Sequence, residues 1–200
     1  MTDLYPHLLA EAVAARICHD LAGPAGTVSA AIELAGQDDE ALDAATEAST
    51  AVNARLRLFR AAWGTAGEPK QRDELARLTA DLSPRLRVNL DGLGASAFPA
   101  AESRLILCML LVAQDAMPAG GQVMLSGEAG GPLLLTLSGA RAGWPAGFLA
   151  SLAGERPAPE ARTVAVPMLL LAARAAGRRL ALIAGADLSA VPALMANSPA

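Results

Sequence analysis

The sequence predicts an α+β chain, a helical hairpin followed by an α/β sandwich, on three observations. The first is a pair of long N-terminal stretches with helical apolar spacing, separated by a polar break. The second is a change after "GTAGEPK" at 64–70, where short alternating apolar runs intersperse with apolar helical ones. The third is composition: 53% of the residues are apolar and 3% are aromatic, so the core is built from Ala, Leu and Val and suits closely packed helices.

The first helix is expected over 3–35. Val13, Ile17, Leu21, Val28 and Ile32 recur at steps of four or seven and form one stripe. His19 follows Ile17 by two positions, about 200° around the helix, so it points away from the stripe toward solvent. "GQDDE" at 36–40 breaks this helix, and its acids suit the start of the next. In the second helix Leu42, Ala45, Ser49, Val52, Leu56, Phe59 and Trp63 alternate steps of three and four, a heptad seam. Gly64 and Gly67 end it, and Pro69 confirms the stop. One hairpin buries two such stripes poorly. Two copies bury them as a four-helix bundle, so a homodimer through residues 3–66 is expected.

The remainder reads as a short helix at 71–81, a strand at 85–90 and an apolar helix at 99–116. A hairpin of strands at 122–127 and 132–139 turns on "EAGG". A Gly-, Pro- and Ala-rich stretch at 140–159 holds one helical turn near 146–153. A helix at 160–176 and a closing hairpin at 178–185 and 188–194 complete the chain, with helices over one face of the sheet. The expected domains are 1–67 and 68–200.

The net charge of -4 argues against nucleic acid as a partner. Cys18 and Cys108 show neither metal spacing nor a disulfide framework and read as packing thiols in a reducing compartment. The first twenty residues lack a basic n-region, and the longest uncharged apolar run, 105–114, is too short to span a bilayer. A cytoplasmic protein without a membrane segment is expected.

"RICHDLAGPAG" at 16–26 sets His19 beside helix breakers. Pro24 removes the hydrogen bond to the Asp20 carbonyl and costs ~3 kcal/mol in an ordinary helix interior. Gly23 and Gly26 add ~1 kcal/mol each relative to Ala. The stripe nonetheless resumes at Val28 and Ile32, so the helix is expected to run through the proline. Ala22, Gly23, Ala25 and Gly26 then form a small-residue surface where a partner helix docks closely, flanked by Arg16 and Cys18.

"HDLAGP" at 19–24 resembles the phosphoacceptor box of sensor histidine kinases. "ARICHDLAGPAG" and "AQDAMPAGGQVML" together resemble the ChpT-type histidine phosphotransferases, which keep the kinase plan but have lost ATP binding. The resemblance covers nearly the whole chain. It implies that the second domain is a degenerate kinase-type ATPase sandwich. A kinase needs an Asn-rich helix for Mg²⁺, yet 105–121 contains no Asn. Ser138 stands where the adenine-reading Asp is expected, and Thr163 and Ala165 stand for the glycines beside the phosphates. Side chains there block the close approach of backbone N–H groups to phosphate.

The resemblance implies that His19 is the phosphoacceptor and that Asp20 is a candidate orienting acid or base. A neutral imidazole is a good nucleophile toward phosphorus near neutral pH. No cofactor is expected on this chain; the partner receiver domain supplies the Mg²⁺. The expected partners are the receiver domain of a hybrid histidine kinase and the receiver domains of response regulators. Two alternatives stand beside this reading: a divergent active histidine kinase and a non-catalytic dimeric scaffold that binds receivers. Asp20 also reads simply as a surface acid paired with Arg16. His7 lies at the frayed start, and Arg55, Arg57 and Arg60 read as a solvated face or as a match for an acidic receiver surface.

Overall fold

The computed structural model describes residues 3–34, 39–64, 67–80, 82–184 and 191–198. The chain is a mixed helix-and-sheet protein. Helix α1, Tyr5–Leu34, runs unbroken through Pro24, as the resumed stripe requires. Helix α2, Asp39–Trp63, lies against it, and the Gly64 N–H still bonds the Arg60 carbonyl where the helix stops. The expected break at 36–40 lies largely outside the described residues.

Next come strand β1 (Lys70–Gln71), helix α3 (Arg72–Thr79), strand β2 (Leu86–Leu93), strand β3 (Ala97–Phe98) and helix α4 (Ala100–Ala116). Strands β4 (Gly121–Gly127) and β5 (Leu133–Ser138) form the expected antiparallel hairpin. Helices α5 (Phe148–Leu152) and α6 (Ala165–Ala175) precede strands β6 (Arg179–Ile183) and β7 (Ala193–Asn197). The closing hairpin forms, with its second strand later than expected; residues 185–190 lie outside the described residues.

Among the described residues, β1 pairs β3, and the main sheet runs β2-β4-β5-β7-β6. Every pairing in the main sheet is antiparallel except β2 with β4, which is parallel because α4 returns the chain between them. Gly120, at φ +82°, makes the turn from α4 into β4; a Cβ there would strike the Arg85 carbonyl. Strand alternation points Val123, Leu125, Leu133, Leu135, Leu194 and Ala196 at the helices, while Met124 is exposed on the opposite face.

Helix α4 is the spine of the core. Leu105 to Ala113 are buried all round, each large side chain contributing about 1.5–3 kcal/mol. Leu58, Phe59 and Ala62 of α2 join that core, so the hairpin and the sandwich share one apolar interior at this end. The α1 stripe divides accordingly. Ile17 packs against the main core, and Val13 packs with Ala12, Val164 and Met168 in a satellite cluster against α6. Farther along, Ile32 is 63% exposed. The single stripe expected to face a dimer core is thus two surfaces: its first part meets the sandwich, and its last part is free. The α2 seam divides too. Ala45 and Phe59 are buried, whereas Leu42 and Leu56 are 62% and 42% exposed.

Candidate functional site

His19 stands on the middle of α1 with its side chain 73% exposed, on the face the spacing predicted. Its Nδ1 lies 3.0 Å from Asp20 Oδ1. An ionised carboxylate only accepts, so the proton of this contact sits on Nδ1 and the Nε2 lone pair is left for chemistry. Burial works to raise the Asp20 pKa, but hydrogen bonds from His19 and Arg16 outweigh it and hold the carboxyl below its ordinary value. Asp20 is therefore ionised at neutral pH.

The second oxygen of Asp20 is also engaged. Arg16 Nε donates to Asp20 Oδ2 at 2.9 Å. The other two guanidinium nitrogens of Arg16 reach across to the sandwich: they donate to Asp115 Oδ1 at 2.8 Å and Oδ2 at 3.2 Å, a fork-on-fork pair. One of them also donates to the Ala161 carbonyl at 3.4 Å. Arg16 is buried. Burial works to lower its pKa, but Asp115 and then Asp20 raise it overall. Burial pushes the Asp115 carboxyl up, with Arg16 pulling the other way. Arg55 of α2 adds a second cation whose field reaches both carboxylates. It donates to Gln114 Oε1 at 3.3 Å and to the Leu82 carbonyl at 2.9 Å.

Four expectations are corrected here. Arg16 does not belong to an exposed docking surface: an arginine with partners on two elements is drawn inward. Arg55 is not part of a solvated face, because its fork is spent on the sandwich; Arg57 and Arg60 are exposed. Cys18 is exposed rather than packed, and only Cys108 fills the core, where burial pushes its thiol up to about 12. The reading of Asp20 as a mere surface acid also fails, since its side chain is only 12% exposed.

Ala22, Gly23, Ala25 and Gly26 are exposed in the turns after His19. A Cβ added to Gly23 or Gly26 would meet nothing within 4 Å, so nothing within the chain demands their small size. Thr27 Oγ1 donates to the Gly23 carbonyl at 3.2 Å, a backbone group next to the interruption at Pro24. His7 pairs with Glu11 at 3.1 Å on the exposed first turns, away from this cluster. Asp115 was not singled out from sequence. Its signal was the first charge after the uncharged run 105–114 of α4.

Of the positions compared with a kinase ATP site, Ser138 ends β5 on an exposed site. Thr163 lies in the turn before α6, and Val164 and Ala165 bury their side chains at that helix start. Among the described residues no three His, Cys, Asp or Glu side chains gather as a metal site, and no helix is long and apolar enough to cross a membrane.

Residues 72–187 match the family described as histidine phosphotransferase C-terminal domain. Over 184 residues the chain is 28% identical to protein phosphotransferase ChpT of Brucella abortus (strain 2308), covering 86% of this chain and 88% of that protein. The solved structure of a bacterial phosphotransferase superposes with a TM-score of 0.76 at 26% identity, covering 94% of this chain and 95% of that one.

Proposed function

The chain belongs to the histidine phosphotransferase family, of the ChpT type, and on that premise we propose that His19 carries a phosphoryl group between receiver domains in two-component signalling. The donor is the receiver of a hybrid histidine kinase, and the acceptors are receivers of response regulators in the cytoplasm. The observation that carries this reading is His19 itself, exposed on an unbroken helix with Nδ1 held by an ionised Asp20.

In the forward step Nε2 attacks the phosphorus of a receiver aspartyl phosphate in line. The Nε2–P bond forms, the P–O bond breaks, and the receiver carboxylate leaves with the electron pair. Nδ1 keeps its proton, and the Asp20 carboxylate offsets the positive charge that develops on the ring. Delivery to the next receiver is the same step reversed. Ala22, Gly23, Ala25 and Gly26 admit the partner helix, and Cys18 lies beside the acceptor on the same exposed stretch. The receiver brings the Mg²⁺.

ATP plays no part in this reading. Its support is the absence of Asn from 105–121, Ser138 in place of an Asp, and the side chains of Thr163 and the buried Ala165 where phosphate-binding glycines would stand. A homodimer through the hairpin belongs to the same proposal, supported by the exposed Ile32, Leu42 and Leu56.

The test incubates the protein with labelled ATP alone, and separately with a labelled phospho-receiver and Mg²⁺. The expected result is label only in the second mixture and none on His19→Ala. Self-labelling from ATP would establish the divergent kinase instead. Relay activity that survives His19→Ala would establish a scaffold.

A further inference from the structure

We propose that Asp115 of the sandwich, acting through Arg16, is a positioning residue for phosphoryl transfer: it occupies the guanidinium fork and so leaves Asp20 free to fix the tautomer of His19. The proposal rests on His19 being the phosphoryl carrier and assigns the second domain a task in that chemistry.

Two carboxylates compete for the donors of Arg16. Arg16 presents its fork and its Nε to two carboxylates, Asp115 and Asp20. Asp115 takes the fork with both oxygens, and Asp20 is left with Nε alone, bonded through Oδ2. Oδ1 is thereby free to accept from His19 Nδ1 at 3.0 Å. A bidentate Arg–carboxylate pair is the stronger arrangement wherever it is open. Without Asp115 the fork captures Asp20 with both oxygens, and Oδ1 leaves the imidazole. A neutral imidazole without an acceptor at Nδ1 moves its proton toward Nε2, the nitrogen that must attack phosphorus. The Ala161 carbonyl, also from the sandwich, accepts from the same Nη1 of Arg16 at 3.4 Å. Neither Asp115 nor Ala161 touches His19, so their effect passes through Arg16 and Asp20.

The test uses the full chain labelled with ¹⁵N-histidine at about pH 8, where an ordinary imidazole is neutral. The chain has two histidines, and His7→Gln assigns the His19 signals. In the wild type, Nε2 should resonate as an unprotonated nitrogen. In Asp115→Asn, shown to be folded by circular dichroism, it should move toward the protonated position. Transfer from a phospho-receiver should then slow roughly tenfold with receiver affinity unchanged. Adding Arg16→Gln to Asp115→Asn removes the competing fork, so the tautomer should return toward wild type. A merely structural role would lower the melting temperature and leave the tautomer alone. The proposal is overturned by a folded Asp115→Asn protein with wild-type tautomer and rate, or by a double variant no nearer to wild type. A wild type with the Nδ1-bound tautomer that accepts no phosphoryl group would sink the carrier role while leaving the positioning network intact.

Discussion

Asp20 is the residue on which the site turns, because its two oxygens serve different masters: His19 and Arg16. Its folded pKa lies below its unfolded one. Its ionised form therefore stabilises the fold above the unfolded value, and that contribution disappears as pH falls through the folded value. Asp20→Asn should cost about 1 kcal/mol in urea unfolding at neutral pH, and the gap to wild type should close in acid. A gap that is constant with pH would contradict the ionised role. Gly23 and Gly26 give a second prediction. Both sit in an exposed helix with open space around the Cβ position, so Gly23→Ala should raise stability by about 1 kcal/mol. Gly26→Leu should fold and dimerise normally yet slow transfer from a phospho-receiver, as read by the rate of label appearance. Unchanged transfer would show that small size at this position serves no partner. The exposure of His19 was legible from one spacing, Ile17 to His19. The partner of Arg16 was not, because Asp115 lies 99 residues away and only the tertiary fold brings it near.

At the scale of elements, α1 and α2 each carry an apolar face that serves two purposes. Periodicity picks out the apolar stripes but cannot say which part of each the chain itself buries, since a hydrophobic stripe does not record what does the burying. Ile17 and Phe59 face the shared core, while Ile32, Leu42 and Leu56 remain free. The free part should be the dimer seam. Leu56→Asp should turn a dimer into a monomer by light scattering while leaving circular dichroism intact. A wild-type chain that is already monomeric would remove the seam reading altogether. Strands were legible for the same reason the stripes were: the period of two in "QVMLSG" and "PLLLTLSG" leaves one face for the helices. The order β2-β4-β5-β7-β6 and the parallel β2–β4 pair were not, because pairing depends on where α4 returns the chain.

For the whole molecule, the hairpin and the sandwich meet through a shared apolar core and a charged network of two carboxylates and two guanidinium groups: Asp20, Asp115, Arg16 and Arg55. The sandwich thus holds the acceptor's neighbours in place. The most direct measurement of the central claim follows label from a phosphorylated receiver domain with Mg²⁺ and no ATP, then maps it by acid and base treatment and peptide sequencing. Label should move to His19 in a base-stable, acid-labile linkage and pass on to a second, unphosphorylated receiver. Label that goes only to free phosphate, or that settles on any other residue, would contradict it.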